Sequence, residues 1–99
     1  MNPSGLLSVL PVAPARRTGW PWTEETPVAL YADAPSGGWP KISIVCPSFQ
    51  QGRFLEETIR SVLLQNYPAL EFIIMDGGSR DQTLPLLEKY SPWLTQWES

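Results

Sequence analysis

The chain has 99 residues, a formal net charge of −3 and no histidine. This length allows one small domain at most, and the negative charge argues against a nucleic-acid-binding surface, since no basic cluster is larger than Arg16–Arg17. Without histidine, the chain has no side chain that ordinarily titrates near neutral pH or that would activate a serine nucleophile. The single Cys46 rules out an internal disulfide and a multi-cysteine metal site, which fits a reducing compartment.

Residues 1–40 are predicted to form a Pro/Trp-rich segment that is irregular or partly disordered. They contain seven of the eleven prolines, and a Pro-rich sequence without periodicity forms no helix or sheet ladder of its own. We expect Met1 to Arg17 to be disordered. Trp20 to Pro40 should be extended and partly packed, because disordered segments are poor in aromatic residues. Its tryptophans either pack onto apolar surface elsewhere in the complete protein or serve in docking or acceptor binding.

Residues 41–99 differ from residues 1–40 in that they contain the apolar runs and periodicity of strands and helices. The almost continuously apolar run Ile42–Cys46 predicts a strand buried on both faces and ended by Pro47. A helix is expected from about Arg53 to Gln65, with apolar residues along one face, and a second strand from about Glu71 to Met75. These elements occupy about thirty-five residues, the usual length of a βαβ unit with parallel strands and a right-handed crossover.

Two sequence signals predict different start residues for the second helix. Ser79 to Gln82 matches a capping box, which contributes about 1 kcal/mol. That start would place Pro85 inside the helix, at a cost of about 3 kcal/mol. We therefore predict a cap at Thr83 and a helix from Leu84 to about Tyr90, followed by a turn that leads into another strand.

The βαβ unit brings two loops to the same edge of the sheet, Pro47 to Gly52 and Asp76 to Gln82, where open α/β sheets bind ligands. Asp76 either accepts the backbone N–H groups of its turn or binds a ribose hydroxyl or a base N–H. The glycines Gly77 and Gly78 permit either a tight turn or the close approach of a ligand.

Other residues near these loops also have two interpretations. Arg53 and Arg80 flank the loops and either contact a diphosphate or are solvated surface charges. Cys46 is either a buried small hydrophobe or a reactive thiol. The sequence that starts at Asp76 lacks the acid spacing of a calcium loop, so no metal site is predicted in this chain.

Two motifs together carry a resemblance to a known family. The first runs from Lys41 to Pro68 and includes Pro47-Ser48-Phe49, and the second runs from Glu71 to Thr83 and includes Asp76-Gly77-Gly78. In order and spacing they resemble the opening of a family 2 glycosyltransferase, over about Lys41 to Trp97.

The resemblance implies a GT-A fold, here a Rossmann-like βαβα portion with parallel strands and an incomplete sheet. It also implies an enzyme that transfers a sugar from a nucleotide-sugar, most often a UDP-sugar, to a saccharide or lipid acceptor, with Mg²⁺ or Mn²⁺ in the full-length protein. By position, Pro47, Ser48 and Phe49 would border the base, and Asp76 with Gly77 and Gly78 would bind the nucleoside.

The chain departs from the family pattern in three ways. Phe49 replaces the commoner Tyr, and Gln50 replaces the usual Asn. Neither the metal-binding Asp-x-Asp motif nor the catalytic base of the family is matched, so we predict no catalytic residue in this chain.

Residues 41–99 are therefore expected to be the N-terminal part of a longer transferase domain, cytoplasmic or peripheral at the cytoplasmic membrane face, and inactive alone. The alternative is a small non-catalytic α/β interaction module that self-associates through an exposed sheet edge.

Overall fold

The computed structural model describes residues 5–99, with the exception of the Arg53 side chain. These residues form an open three-stranded parallel sheet in the order β1-β2-β3. The strands are β1 (Ile42–Ser48), β2 (Leu70–Asp76) and β3 (Gln96–Glu98), and the helices are α1 (Gly52–Leu63) and α2 (Thr83–Tyr90). The predicted α/β fold with parallel strands is confirmed.

Both helices cover the same face of the sheet. Side chains alternate between the two faces of a strand, and Phe72 and Ile74 of β2 point to the covered face, where they are almost completely buried. The apolar positions of α1 and α2 pack against them. The buried core consists of Leu10, Leu55, Ile59, Leu63, Leu64, Phe72, Ile74, Leu87 and Tyr90.

The prediction that the first strand is buried on both faces is wrong. Val45 is 59% exposed and Ile42 is 45% exposed, because the described helices lie on one side only. Pro47 does not end the strand either, since β1 continues to Ser48 and Pro47 stands opposite Met75 in the ladder. Within residues 5–99, β1 is an edge strand, where a proline without an N–H group is tolerated.

The predicted helices differ from the observed ones by small shifts. The first helix begins at Gly52 and ends at Leu63, so it starts one residue earlier and ends two residues earlier than expected. The second helix runs from Thr83 to Tyr90 with Gln82 at the N-cap position, so it starts one residue before the predicted Leu84, and Thr83 is its first residue rather than its cap. The strand expected after Trp93 is present as β3.

The N-terminal segment packs on the helical layer. Leu10 belongs to the core, and residues 5–40 include the short 3-10 helices Leu6–Ser8 and Val28–Tyr31. The disorder expected for Met1 to Arg17 therefore does not describe residues 5–17; Met1 to Ser4 lie outside the described residues. The Pro-rich composition predicted disorder because this segment forms no helix or sheet ladder of its own. The segment is ordered instead by contacts with α1. The division of the chain near Lys41 stays a prediction.

A buried arginine ties this segment to α1. Arg60 is 1% exposed, and its guanidinium donates to the carbonyl oxygens of Pro21 at 2.7 Å, Trp22 at 2.7 Å and Pro11 at 2.8 Å. Trp22 is itself buried, with the Arg60 guanidinium 5.6 Å from its ring centre. Trp22 thus packs within this chain, whereas Trp20 stays 41% exposed.

Among residues 5–99, no helix has both the length and the apolar character needed to cross a membrane.

Candidate functional site

The two predicted loops lie side by side at the carboxyl edge of the sheet. One loop connects β1 to α1 and the other connects β2 to α2. Ser48, the last residue of β1, stands opposite Asp76, the last residue of β2. The Gly77 N–H donates to the Ser48 carbonyl oxygen at 2.8 Å, which extends the strand pairing into the loops. The structure therefore brings together the residues that the sequence selected from the two motifs.

The Asp76 carboxylate is the centre of its own turn. Its Oδ2 accepts the N–H groups of Gly78 at 3.1 Å and Ser79 at 2.7 Å and the hydroxyl of Ser99 at 2.8 Å. Its Oδ1 accepts the Ser79 hydroxyl at 2.6 Å. Partial burial raises the pKa of Asp76, but these hydrogen bonds outweigh that effect and lower it to about 2. The side chain is therefore ionised at neutral pH, and every donor just described stabilises that form.

Phe49 and the glycines define the open side of the loops. The Phe49 side chain is exposed, at 60%, and lies against Gly77, where an added Cβ atom would sit 3.4 Å from the Phe49 ring. Gly78 has a φ angle of 90°, which favours glycine strongly. An exposed aromatic face beside bare backbone can accept a flat ligand by stacking. Pro47 is also exposed at this edge.

Ser48 is the one described residue whose buried side-chain oxygen or nitrogen lacks a hydrogen-bond partner. The residue is 6% exposed, so its hydroxyl is withdrawn from bulk water at the end of β1. An unpaired buried hydroxyl is unfavourable unless another group completes it. It therefore marks a position where a ligand or an ordered water would gain a hydrogen bond.

Gln50 links the two loops in a way that the sequence did not indicate. Its backbone N–H donates to the Ser79 hydroxyl oxygen at 2.6 Å, and its side-chain oxygen accepts the Arg80 N–H at 2.7 Å. Gln50 also has a φ angle of 52°, in the left-handed region where Asn is commoner than Gln. The sequence marked Gln50 only as a replacement of the usual Asn, because contacts between residues about thirty positions apart leave no local signal.

The structure gives little support for a ligand-binding or reactive role of the three remaining candidate residues, Arg53, Arg80 and Cys46. Arg80 is exposed at the rim of the loops, and the side chain of Arg53 lies outside the described residues. Cys46 is partly buried against the core, and this burial raises the pKa of its thiol. That environment favours the packing role over the reactive one.

Residues 5–99 include no group of three or more His, Cys, Asp or Glu side chains that could hold a metal ion. The described residues therefore do not fit a Mg²⁺ or Mn²⁺ centre, and that cofactor stays a prediction for the full-length enzyme.

Curated relatives of this chain are bacterial glycosyltransferases. The chain is 39% identical over 51 residues to a protein of Bacillus subtilis named for glycosyl transfer in teichuronic acid biosynthesis. It is 35% identical over 52 residues to the poly(ribitol-phosphate) beta-N-acetylglucosaminyltransferase of Staphylococcus aureus. It is also 35% identical over 49 residues to the GalNAc(5)-diNAcBac-PP-undecaprenol beta-1,3-glucosyltransferase of Campylobacter jejuni.

The shared region is a small part of each relative. It comprises 52%, 50% and 50% of this chain, but only 20%, 9% and 16% of the three relatives. No solved structure matches the chain. The model of glycosyl transferase family 2 matches residues 43–98, which include β1 from its second residue onwards, β2, β3, both helices and both loops. Since that match spans more than half of its length, the chain belongs to glycosyl transferase family 2.

Proposed function

We propose that residues 41–99 form the donor-nucleotide-binding part of a glycosyltransferase that transfers a sugar from a nucleotide-sugar. The observation that carries the proposal is the pairing of Ser48 with Asp76 at the carboxyl edge of the sheet, within the region that matches the family. Ligands of open α/β sheets bind at this edge.

The roles in the pocket follow from chemistry. Asp76 is an ionised acceptor suited to a ribose hydroxyl or a base N–H, and Phe49 offers an aromatic face to the base. The buried hydroxyl of Ser48 is free to pair with a polar atom of the ligand. Gly77 and Gly78 leave the backbone accessible to the nucleoside. The exposed Arg80, and Arg53 at the start of α1, are proposed to meet the diphosphate.

UDP is the proposed nucleotide, and the proposed acceptor is a saccharide or lipid-linked saccharide of the bacterial cell envelope. The names of the relatives support this class of acceptor, because they specify teichuronic acid, poly(ribitol-phosphate) and an undecaprenol-linked saccharide. We place the full-length protein in the cytoplasm or at the cytoplasmic face of the membrane. No residue of the chain is assigned a catalytic role, and we expect no sugar transfer by the purified 99 residues.

Ligand-observed NMR with UDP tests the proposal. We expect a saturable signal from the wild-type chain and its loss in Asp76→Ala. Because Asp76 also holds its turn, Ser79→Ala serves as the matched control: it removes the Ser79 hydroxyl bonds to the carboxylate and to Gln50 but keeps the acceptor. Saturable binding that is weakened but kept in Ser79→Ala, which loses these orienting bonds, and abolished in Asp76→Ala assigns the contact to the carboxylate. Absence of saturable binding by the wild type would refute the proposal.

A second candidate function is a non-catalytic interaction module. It is favoured by the edge position of β1, where no described strand pairs with its outer side, and by the exposure of Ile42, Val45 and Met75 on or near that edge. Exposed strand edges can pair with a second copy. Sedimentation would detect a dimer, and Val45→Lys should dissociate it if this surface is the interface. A monomeric wild-type chain that binds UDP would exclude this candidate.

A further inference from the structure

One carboxylate caps both helices of the fold. Asp81 Oδ2 accepts the N–H of Gly52, the first residue of α1, at 3.0 Å. Asp81 Oδ1 accepts the N–H of Thr83, the first residue of α2, at 2.9 Å and the Thr83 hydroxyl at 2.5 Å. The N-cap residues themselves, Gln51 and Gln82, make no side-chain capping bond. The two N-terminal ends thus depend on one shared acceptor.

The helix ends are in close contact at this point. A Cβ atom added to Gly52 would lie 2.7 Å from Gln82 Cγ, 2.9 Å from the Thr83 nitrogen and 3.1 Å from Asp81 Oδ2. The Thr83 nitrogen is backbone and cannot swing aside as a flexible side chain can. A glycine is therefore needed here for the two loops to approach each other.

We infer that Asp81 is a positioning residue that fixes the two site loops relative to each other by capping α1 and α2 at once. The inference rests on the proposed nucleotide-binding function. Asp81 acts through the adjoining bonds, in which Gln50 contacts Ser79 and Ser79 contacts Asp76. If the start of α1 moves away from the start of α2, the first of these contacts stretches and the Asp76 carboxylate loses its fixed direction.

The number of acceptor oxygens distinguishes a shared cap from an ordinary one. At the N-cap of a single helix, Asn and Asp perform almost equally well, because one oxygen suffices. At the shared cap both oxygens of Asp81 accept, and an Asn has one acceptor and one donor group. Asp81→Asn must therefore release either Gly52 or Thr83, while it keeps the shape of the side chain.

The experiment measures UDP affinity and amide hydrogen exchange in the same samples. Asp81→Asn is compared with the wild type and with Asp33→Asn, which makes the same change at an exposed position in the N-terminal segment. Tyr90→Phe is included to lower stability in the core without touching the loops. Gly52→Ala separates the loops by a different route and serves as the second variant if Asp81→Asn does not fold.

We expect Asp81→Asn to bind UDP about ten-fold more weakly, by analogy with the low end of the loss found when groups that orient metal ligands are removed. The Gly52 or the Thr83 amide should exchange faster in the same variant, with Asp33→Asn and Tyr90→Phe binding as the wild type does. Equal UDP affinity in Asp81→Asn and the wild type would overturn the inference. If the wild type itself does not bind UDP, the proposed function fails. In that case hydrogen exchange still tests the shared cap: faster exchange of the Gly52 or the Thr83 amide in Asp81→Asn would support it, and unchanged exchange of both amides would overturn it.

Discussion

Replacement of Arg60 by methionine is the most informative test of how this small fold is held together. Methionine fills a similar volume but donates no hydrogen bond. The guanidinium lies between α1 and the N-terminal segment, donates to three backbone carbonyls and contacts the Tyr90 hydroxyl at 3.3 Å. Its removal therefore separates the contribution of this anchor from that of the surrounding apolar contacts.

The expected magnitude follows from the bonds that are lost. A hydrogen bond to a charged group contributes about 1.5–3 kcal/mol, and the carbonyls of Pro11, Pro21 and Trp22 would each lose one. Part of this loss is offset, since the variant no longer buries a charged guanidinium. Three bonds at the low end of this range sum to about 4.5 kcal/mol, and after the offset we expect a net decrease of about 3 kcal/mol in the free energy of unfolding. That is a large share of the stability of a small domain, about 5 kcal/mol.

Urea denaturation followed by tryptophan fluorescence measures this change, because Trp22 packs beside the guanidinium. Arg80→Met is the control, since it removes an exposed arginine and should change stability by less than about 0.5 kcal/mol. Arg60→Lys keeps the charge without the planar fork and should fall between the two. A loss below about 1 kcal/mol in Arg60→Met would refute the reasoning, because the carbonyls would then be satisfied without the arginine.

Three further changes have defined outcomes. The pKa of Asp76 is lowered to about 2 from an ordinary value of 3.8. Its ionised form therefore contributes fully to stability above about pH 4, and this contribution is lost as the pH falls through about 2. The NMR shift of the Ser79 amide should titrate with a midpoint near pH 2, and a midpoint near pH 4 would contradict the lowered pKa. Tyr90→Phe removes a 2.7 Å hydrogen bond to Glu56 and should lower the free energy of unfolding, measured by urea denaturation, by about 2 kcal/mol. An unchanged free energy of unfolding would mean that this hydrogen bond does not contribute to stability. Ser48→Ala deletes an unpaired buried hydroxyl and should leave stability unchanged or raise it by up to about 1 kcal/mol, whereas a clear loss would reveal a water-mediated partner.

The sequence was informative where one local cost dominated. The start of α2 could be predicted to within one residue because a proline inside a helix costs more than a capping box contributes. The loops of the site could be placed together because parallel strands of a βαβ unit end at the same edge. In both cases the deciding residues, Pro85 and Asp76, act within a few positions of their own element.

The sequence was uninformative where the partner is distant along the chain. The apolar run of β1 looks the same whether one face or both are covered, and only the position of the helices decides which. The prolines near the N-terminus gave no indication that Leu10 would enter the core. The contacts of Gln50 and Asp81 join loops about thirty residues apart, so no spacing rule reveals them.

The two interpretations of Asp76 do not exclude each other. A carboxylate has about four acceptor sites. Among the described residues, Oδ1 accepts one donor, the Ser79 hydroxyl, and Oδ2 accepts three. The low pKa keeps both oxygens as acceptors at neutral pH. The turn therefore fixes the direction of the carboxylate through Oδ2 and leaves acceptor capacity on Oδ1 for a base N–H or a ribose hydroxyl. A ligand that meets an acceptor already held in place loses less conformational entropy on binding. The structural bonds of Asp76 would thus make its proposed binding role more efficient.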